Sequence, residues 1–307
     1  EDEIIEIGGS EFCDDTNHIH CMLPFPSGAF LDVDETRDTG YSLSIDGEAI
    51  PDTRSSVSDN MVILDRLDGF SPSTQIFTAF DEVPNITGMA TQFDIGISTM
   101  DGHSSILLNL DTGEKVHHWI ELDARAQEDE ETIIFLRTIE GLDHNTPYAV
   151  GFRNLVDEQG TSIVPSDGFK ALRDGYETDS DGIEGQREPY EEVFNKLEDA
   201  GFERSSLQSA WWFHTASTKS ILEDILIMRD DAEQRLGGDG IGCQNQGGPG
   251  APGEAQAGGQ DLHENGEADG RGREEGQVHR DGDEDGPGRL PRRGVQHDLP
   301  VLPRDLP

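Results

Sequence analysis

The last part of this 307-residue chain differs so strongly in composition from the rest that it limits which region is able to fold. Residues 237–307 contain no Phe, Tyr, Trp or Lys, and they hold half of the chain's 36 glycines. A segment without aromatic side chains and rich in Gly, Pro, Gln and Arg buries too little apolar surface to offset the entropy lost on ordering. We therefore expect residues 1–236 to carry the fold. Residues 237–307 are either a disordered acidic linker or a frame-shifted translation of a GC-rich gene.

The chain is strongly acidic, with a formal net charge of −42 from 64 acidic and 22 basic residues. Acidic side chains spread along a whole sequence keep a protein soluble in concentrated salt, where repulsion between charges is screened. This composition indicates a halophilic source, and an acidic exported protein from a high-GC organism is the alternative. Phosphate backbones require a cationic face, and the sequence offers none, so we expect no nucleic-acid partner.

Two of the three cysteines lie close together, in the segment CDDTNHIHC, where Cys13 and Cys21 flank His18 and His20. A structural zinc site uses four ligands with short paired spacings, and seven intervening residues do not match such a pair. We therefore predict a Cys13–Cys21 disulfide that closes a small loop, with a metal site as the alternative. A disulfide indicates an oxidising compartment.

Hydropathy gives further limits on location. The sequence has no run of 18 apolar residues, which predicts that no segment spans a membrane. The chain begins at Glu1 and shows no signal peptide. Together with the predicted disulfide, this leads us to expect a secreted or cell-surface protein whose export signal lies upstream of the sequence.

Most of the chain up to residue 217 alternates between short apolar segments and turn signals. Two of these segments, 41–45 and 75–80, alternate with a two-residue period. Further strand candidates follow at intervals typical of an antiparallel sandwich: 104–110, 116–122, 132–136, 146–154, 161–164 and 209–216. The Asp-Thr-Gly turn at 111–113 predicts that 104–110 and 116–122 pair as a hairpin. The pattern as a whole predicts a mainly β, antiparallel sandwich.

Two segments break this β pattern. Residues 189–200 place Tyr190, Val193, Phe194 and Leu197 on one helical face, and Gly201 gives a stop signal. Residues 218–236 predict a second amphipathic helix. We therefore expect an acidic leader at 1–22 with a small disulfide loop, a β domain at 23–217 with a helical insertion at 187–204, and a helix at 218–236 that leads to a domain missing from this chain.

Two later segments resemble the end of bacterial Ig-like domains. They are residues 142–163, LDHNTPYAVGFRNLVDEQGTSI, and residues 211–217, WWFHTAS. The resemblance implies an Ig-like β-sandwich in which Tyr148 packs in the core and Gly160 supplies a turn.

The front of the chain has a related resemblance. Cys21 with LPFPS at 23–27, together with LDGFSPSTQI at 67–76, resembles the N-terminal region of exported bacterial lipase-like proteins. In such proteins an Ig-like module precedes an α/β-hydrolase domain, whose nucleophile lies on a G-x-S-x-G elbow. No G-x-S-x-G occurs in this sequence, so no catalytic residue carries over.

The resemblance implies a non-catalytic module whose partner is a downstream lipase- or esterase-type hydrolase domain, in a protein that acts on a surface glycan or lipid. A stand-alone surface adhesion or ligand-binding module is the alternative, and a complete hydrolase with an unfamiliar site is a third hypothesis. None of these requires a cofactor.

One acidic loop nearly fits a calcium-binding pattern. Glu177, Asp179, Asp181 and, further on, Glu188 follow the D-x-[DN]-x-[DN]-G-x5-E spacing, which supplies oxygen ligands at alternate positions. The first position is Glu rather than Asp, and Glu184 stands where an apolar residue is usual. We therefore predict either a calcium site or a solvated acidic loop that caps the following helix.

The remaining candidate side chains point to structural roles. On a strand, His117 and His118 face opposite sides, which argues against a shared metal. His214 lies in an aromatic strand and is expected to pack in the core. Trp211 and Trp212 alternate in the same strand, so at most one is expected to be exposed and able to stack on a sugar.

Overall fold

The computed structural model describes residues 4–10, 12–50, 64, 66–126 and 132–236. The chain divides into two compact units, Glu1–Cys243 and Gln244–Pro307, and the second lies wholly outside the described residues. Both interpretations of 237–307 therefore fall outside the description, as does most of the apolar run that begins at residue 61.

Within the described residues, eight strands form three antiparallel sheets. The sheet orders are β1-β2, β3-β6-β5 and β4-β7-β8. The strands are β1 Leu31–Val33, β2 Tyr41–Leu43, β3 Ile76–Ala79, β4 Ser105–Asn109, β5 His118–Leu122, β6 Ile133–Thr138, β7 Pro147–Arg153 and β8 Leu207–His214. Every strand other than β1 overlaps a segment that the sequence predicted as a strand, whereas 161–164 forms no strand and contributes an isolated bridge between Ser162 and Val156. The antiparallel arrangement is confirmed.

Aromatic packing holds β7 and β8 together. The Tyr148 and Phe213 rings stack at 5.7 Å between centroids, and the Phe152 and Trp211 rings stack at 6.1 Å. All four side chains are almost fully buried. Cross-strand aromatic pairs of this kind stabilise a sheet beyond the area they bury, so these two strands form the centre of the core.

Four α-helices are described: α1 Asp167–Asp174, α2 Asp181–Gly185, α3 Arg187–Asp199 and α4 Thr218–Leu236. The helix α3 buries the predicted face, with Tyr190, Val193, Phe194 and Leu197 inside. Gly201 follows it with φ +88°, and the Phe202 amide donates to the Leu197 carbonyl at 2.8 Å. This is the glycine-terminated helix end that the sequence indicated.

Helices contribute more than the sequence predicted. They account for about 29% of the structure against 23% for strands, so the fold combines antiparallel sheets with helices rather than being mainly β. Neither α1 nor α2 was predicted. The first is set by tertiary packing, because a Cβ atom on Gly168 would lie 2.0 Å from the Asp15 carbonyl oxygen. A glycine is therefore required where the helix meets the disulfide loop.

The predicted hairpin between β4 and β5 was wrong in its pairing. The turn forms, with the Asn109 amide bonded to the Glu114 carbonyl at 3.0 Å and the Val116 amide to the Leu107 carbonyl at 2.7 Å. Beyond it the strands diverge, since β4 pairs with β7 and β5 with β6. All five residues of β4 are buried, so its partners are selected by packing on both faces rather than by the turn.

The described part of the leader is bound into the domain. Cys13 and Cys21 are joined by a disulfide. Asn17 Nδ2 donates to the Ala79 carbonyl at 3.0 Å, and Ser166 Oγ, just before α1, donates to the Thr16 carbonyl. The disulfide loop thus contacts both β3 and the first helix.

Candidate functional site

The end of β8 is held from two sides as the chain passes into α4. On one side, the Phe70 amide donates to the His214 carbonyl at 2.9 Å, and the Ala216 amide donates to the Phe70 carbonyl at 2.7 Å. On the other, Thr215 Oγ1 donates to the Asp143 carbonyl at 2.6 Å. Thr215 and Ala216 are fully buried. The backbone is therefore fixed up to the first residue before the helix.

Asp68 connects this backbone to the start of α4. Its buried carboxylate accepts the Ser217 amide at 2.9 Å, and its own amide donates to Ser220 Oγ at 3.2 Å. Ser217 caps the helix, because its Oγ accepts the Ser220 amide at 3.0 Å. Neighbouring Gly69 is required by close packing, since a Cβ there would lie 2.8 Å from the His214 carbonyl oxygen. We call residues 66–70 together with 214–224 the α4 junction.

Beyond its first turn, α4 is exposed. No residue of α4 is buried by the described part of the chain. Six large apolar side chains nevertheless lie between residues 221 and 228, and their exposure ranges from 36% to 62%: Ile221, Leu222, Ile225, Leu226, Ile227 and Met228. A helix with apolar side chains over so wide an arc normally buries them against another element.

Charged contacts flank the junction. Arg66 Nη2 lies 2.8 Å and 2.9 Å from the two carboxylate oxygens of Asp224, and Lys219 lies 3.9 Å from Asp38. Both pairs are largely exposed, and pairs of this kind contribute little to stability. A cleft of about 320 Å³ lies between these groups and Asp68. The polar contacts orient the helix, whereas the described part of the chain does not bury its apolar side chains.

The disulfide loop and the calcium-like loop face each other across a second cavity, of about 460 Å³. Ser180 Oγ donates to Asp15, and the Ile7 amide donates to Asp179 at 2.9 Å. These contacts join two segments that are distant in the sequence.

Several acidic side chains of the calcium-like segment either pair with another side chain or lie at the start of a helix. Glu184 pairs with Arg187 at 2.6 Å, which lowers the pKa of Glu184 to about 2. Asp181 opens α2, and Glu188 lies in the first turn of α3. Among the described residues, no group of three or more His, Cys, Asp or Glu is arranged to hold a metal. Calcium binding by Glu177, Asp179, Asp181 and Glu188 stays a prediction.

Asp14 is a buried carboxyl on the disulfide loop. Thr16 donates to one of its oxygens through both its amide, at 3.0 Å, and its hydroxyl, at 2.5 Å, while Ser27 Oγ donates to the other. Burial raises the pKa of Asp14 to about 6, although these hydrogen bonds oppose the shift. This residue was not a candidate in the sequence, where its only signal is a position next to a disulfide cysteine.

The other candidates are mostly in the core. Trp211 and Trp212 are both buried, so neither offers a face to a sugar. Burial lowers the pKa of His214, whose ring lies 5.5 Å from that of Tyr41. His118 is fully buried and His117 is exposed, as the alternation predicted.

The sequence did not reveal that residues 67–72 and 213–217, which lie in two separate family-like segments, form one site. The structure joins them through a parallel bridge between Phe70 and Thr215. The one sequence signal for Asp68 and Gly69 was a turn, and a turn does not reveal a partner almost 150 residues away.

Comparison with family models, with curated proteins and with solved structures gave no match. Among the described residues, no helix has the length and apolar character needed to cross a membrane.

Proposed function

We propose that this chain is a non-catalytic module of an exported protein, which positions a lipase- or esterase-type hydrolase domain following it in the same protein. The observation that carries the proposal is the contrast within α4. Its start is fixed by the buried carboxylate of Asp68, whereas the described part of the chain leaves the six large apolar side chains between residues 221 and 228 exposed. A helix held at one end and uncovered along its length is suited to orient a neighbouring domain.

The finer fold belongs to the same proposal. We infer an Ig-like sandwich from the two three-stranded sheets. Two edge-to-face ring pairs support it: Phe80, directly after β3, packs on Phe152 in β7, and Phe70 packs on Phe213 in β8. Two further features support it. Tyr148 is buried, and Gly160 adopts φ +81° in its turn, as the resemblance implies for both. The disulfide supports export.

The proposal is tested first at the gene. The locus is resequenced from codon 236 and translated in all three frames. We expect a continuation with alternating strand and helix periodicity and a G-x-S-x-G elbow. If no frame contains one, the hydrolase partner does not exist and the proposal fails.

The second test uses that hydrolase domain as a purified protein mixed with this chain. Ile225→Asp places a charge on the exposed apolar surface of α4 and is expected to weaken binding at least about tenfold. Val33→Asp is the matched control, because Val33 is exposed on β1. Equal binding by both variants would show that α4 is not the contact surface.

A further inference from the structure

Three polar side chains are buried together where β4 and β5 begin. His103, Ser105 and His118 are each less than 9% exposed. Ser105 Oγ lies 2.8 Å from His118 Nε2 and 3.2 Å from His103 Nδ1. We call these three residues the histidine latch. The α4 junction does not include them.

The partners fix which nitrogen of each ring carries the proton. His118 Nδ1 lies 2.9 Å from the Val116 carbonyl, which only accepts, so the proton is on Nδ1 and Nε2 accepts from Ser105. His103 Nε2 accepts the Ala90 amide at 3.0 Å, so its proton is on Nδ1. With both rings neutral, each Nδ1–H faces a carbonyl oxygen, that of Val116 for His118 and that of Ser105 for His103, and each Nε2 accepts a hydrogen bond. The Ser105 amide also points at His103 Nδ1, at 3.2 Å.

The latch holds a long connection against the sheets. The Ala90 amide is bound by His103, and the His118 amide donates to Ser98 Oγ at 3.2 Å. Ser98 in turn donates to the Ile95 carbonyl at 2.7 Å. The segment 90–103 is held by these contacts and by two others: the Ile120 amide donates to the Ala90 carbonyl at 3.0 Å, and Arg153 Nε donates to the His103 carbonyl at 3.1 Å. The segment also carries the apolar side chain of Phe93 at 90% exposure.

An added proton on either ring would set two donors against each other. On His118, an Nε2–H would displace the Ser105 hydroxyl proton, whose other neighbour, His103 Nδ1, already carries one. On His103, an Nε2–H would face the Ala90 amide. A buried donor left without an acceptor destabilises the structure that holds it. Ring protonation therefore acts on the Ala90 contact, because the displaced Ser105 hydroxyl proton can be accepted by His103 Nδ1 only if the His103 proton moves to Nε2, which faces the Ala90 amide. The contact of the His118 amide with Ser98 does not involve the ring.

Within the part of the chain that the structure describes, no carboxylate contacts the His118 ring, and the charged group next to His103 is Arg153, whose Nε donates to the His103 carbonyl at 3.1 Å. His117, on the same strand, and His103 are like charges when protonated. The strand β6 places Thr138 opposite, and the connection contributes Ser98. Asp94 and Asp101 near that connection are exposed, and Asp101 lies 3.5 Å from Lys115.

We propose that the histidine latch is an acid-sensitive device, which holds segment 90–103 on the sheets at neutral pH and releases it on acidification while the β7–β8 core stays folded. Burial lowers the pKa of His118 to about 4, in agreement with release below neutrality.

Hydrogen exchange of the full chain at pH 7.0, 5.5 and 4.5, corrected for intrinsic rates, tests this. The amides of Ala90 and His118 are expected to lose protection at least about tenfold between pH 7.0 and 4.5, while the amides of the β7–β8 ladder keep theirs. Unchanged protection of Ala90 and His118, or their loss together with the β7–β8 amides, would overturn the proposal.

Variants separate the latch from general acid effects. His118→Gln retains an acceptor toward Ser105 and carries no titrating proton, so the pH-dependent loss of protection should shrink. His117→Gln, at the exposed neighbour, should behave as wild type. If His118→Gln does not fold, nitrogen chemical shifts of the His118 ring in the wild type decide. As the pH falls, protection of the Ala90 amide is expected to decrease over the same range in which the His118 ring is protonated. Loss of protection at a higher pH than ring protonation would contradict the proposal.

Discussion

Strand β8 and helix α4 follow each other in the chain but differ in how far their residues are buried. Seven of the eight residues of β8 are buried, whereas none of the 19 residues of α4 is buried by the described part of the chain. Three residues, 215–217, separate them. Apolar side chains are plentiful in both, so hydrophobicity does not account for the difference. The difference lies in partners: β8 has β7 and the helices α1 and α3, and α4 has contacts at its start alone.

This contrast separates two parts of one compact unit, Glu1–Cys243. Buried side chains continue through Ser217, and among the described residues α4 contacts the rest of the unit through Ser220 and Asp224 near its start. Substitutions on the two sides of Ser217 should therefore have different consequences.

The largest expected difference is between two truncations. Phe213→Ala removes a fully buried ring that contacts Tyr148 and Phe70, and should cost about 3–5 kcal/mol of unfolding free energy. Ile225→Ala removes an exposed side chain, and should change stability by less than about 0.5 kcal/mol. Denaturant unfolding of both variants measures this. Similar losses of unfolding free energy in the two variants would show that β8 and α4 contribute equally to stability.

The body of the domain, unlike α4, contains two buried groups whose pKa values are shifted in opposite directions. The folded pKa of His118 is lowered from 6.5 to about 4, so its contribution is complete above pH 6.5 and is lost as the pH falls toward 4. The folded pKa of Asp14 is raised from 3.8 to about 6, so its contribution is complete below pH 3.8 and is lost as the pH rises through 6. Each amounts to about 3 kcal/mol.

Removing one group should reveal the other. Relative to wild type, Asp14→Asn should lose stability, by about 3 kcal/mol, as the pH falls from 6.5 to 4, and His118→Gln should gain a similar amount. Unfolding free energies at four pH values provide the measurement, with His117→Gln as the control. If the unfolding free energies of all variants change with pH in the same way, folding does not shift the pKa of either group.

Gly69 tests how closely the 66–70 segment approaches β8. A Cβ atom at this position would lie 2.8 Å from both the Ala216 nitrogen and the His214 oxygen, and these backbone atoms cannot move independently. Gly69→Ala should therefore destabilise the domain by about 1–3 kcal/mol. Gly47→Ala, where a Cβ meets nothing within 4 Å, is the control, and a loss as large at Gly47 would refute the explanation.

Asp68 tests the connection itself. Asp68→Ala leaves the buried Ser217 amide without its acceptor, and should cost about 1–2 kcal/mol and speed exchange at the first turn of α4. Asp38→Ala removes an exposed ion pair with Lys219 at the same helix start and should have no measurable effect. Thermal unfolding combined with hydrogen exchange distinguishes the two. A stable Asp68→Ala variant with a protected helix start would contradict the capping role.

Much of the local structure was predictable because local patterns decide it. The face of α3 and the bounds of α4 follow from helical periodicity together with Gly201 and Ser217, which mark helix ends. The short α2 was not predictable, since five acidic and glycine-rich residues equally fit a calcium loop. Its formation depends on the Ser180 cap and on the contact of Ser180 with Asp15.

The candidate site was not predictable as a site. Asp68 and Ser217 are 149 positions apart, and each looks like an ordinary turn or cap residue in its own segment. The pairing of β4 with β7 was missed for a similar reason: turn chemistry is local, whereas the choice of strand partners depends on burial across the whole core.

The most direct test of the central claim is hydrogen exchange of the full chain at neutral pH, comparing β8 with α4. If α4 is uncovered beyond its start, the amides of β8 should exchange at the rate of global unfolding, and those of α4 beyond Ile225 should exchange within minutes. Protection of α4 equal to that of β8 would contradict the claim, because it would mean that this chain already covers the helix.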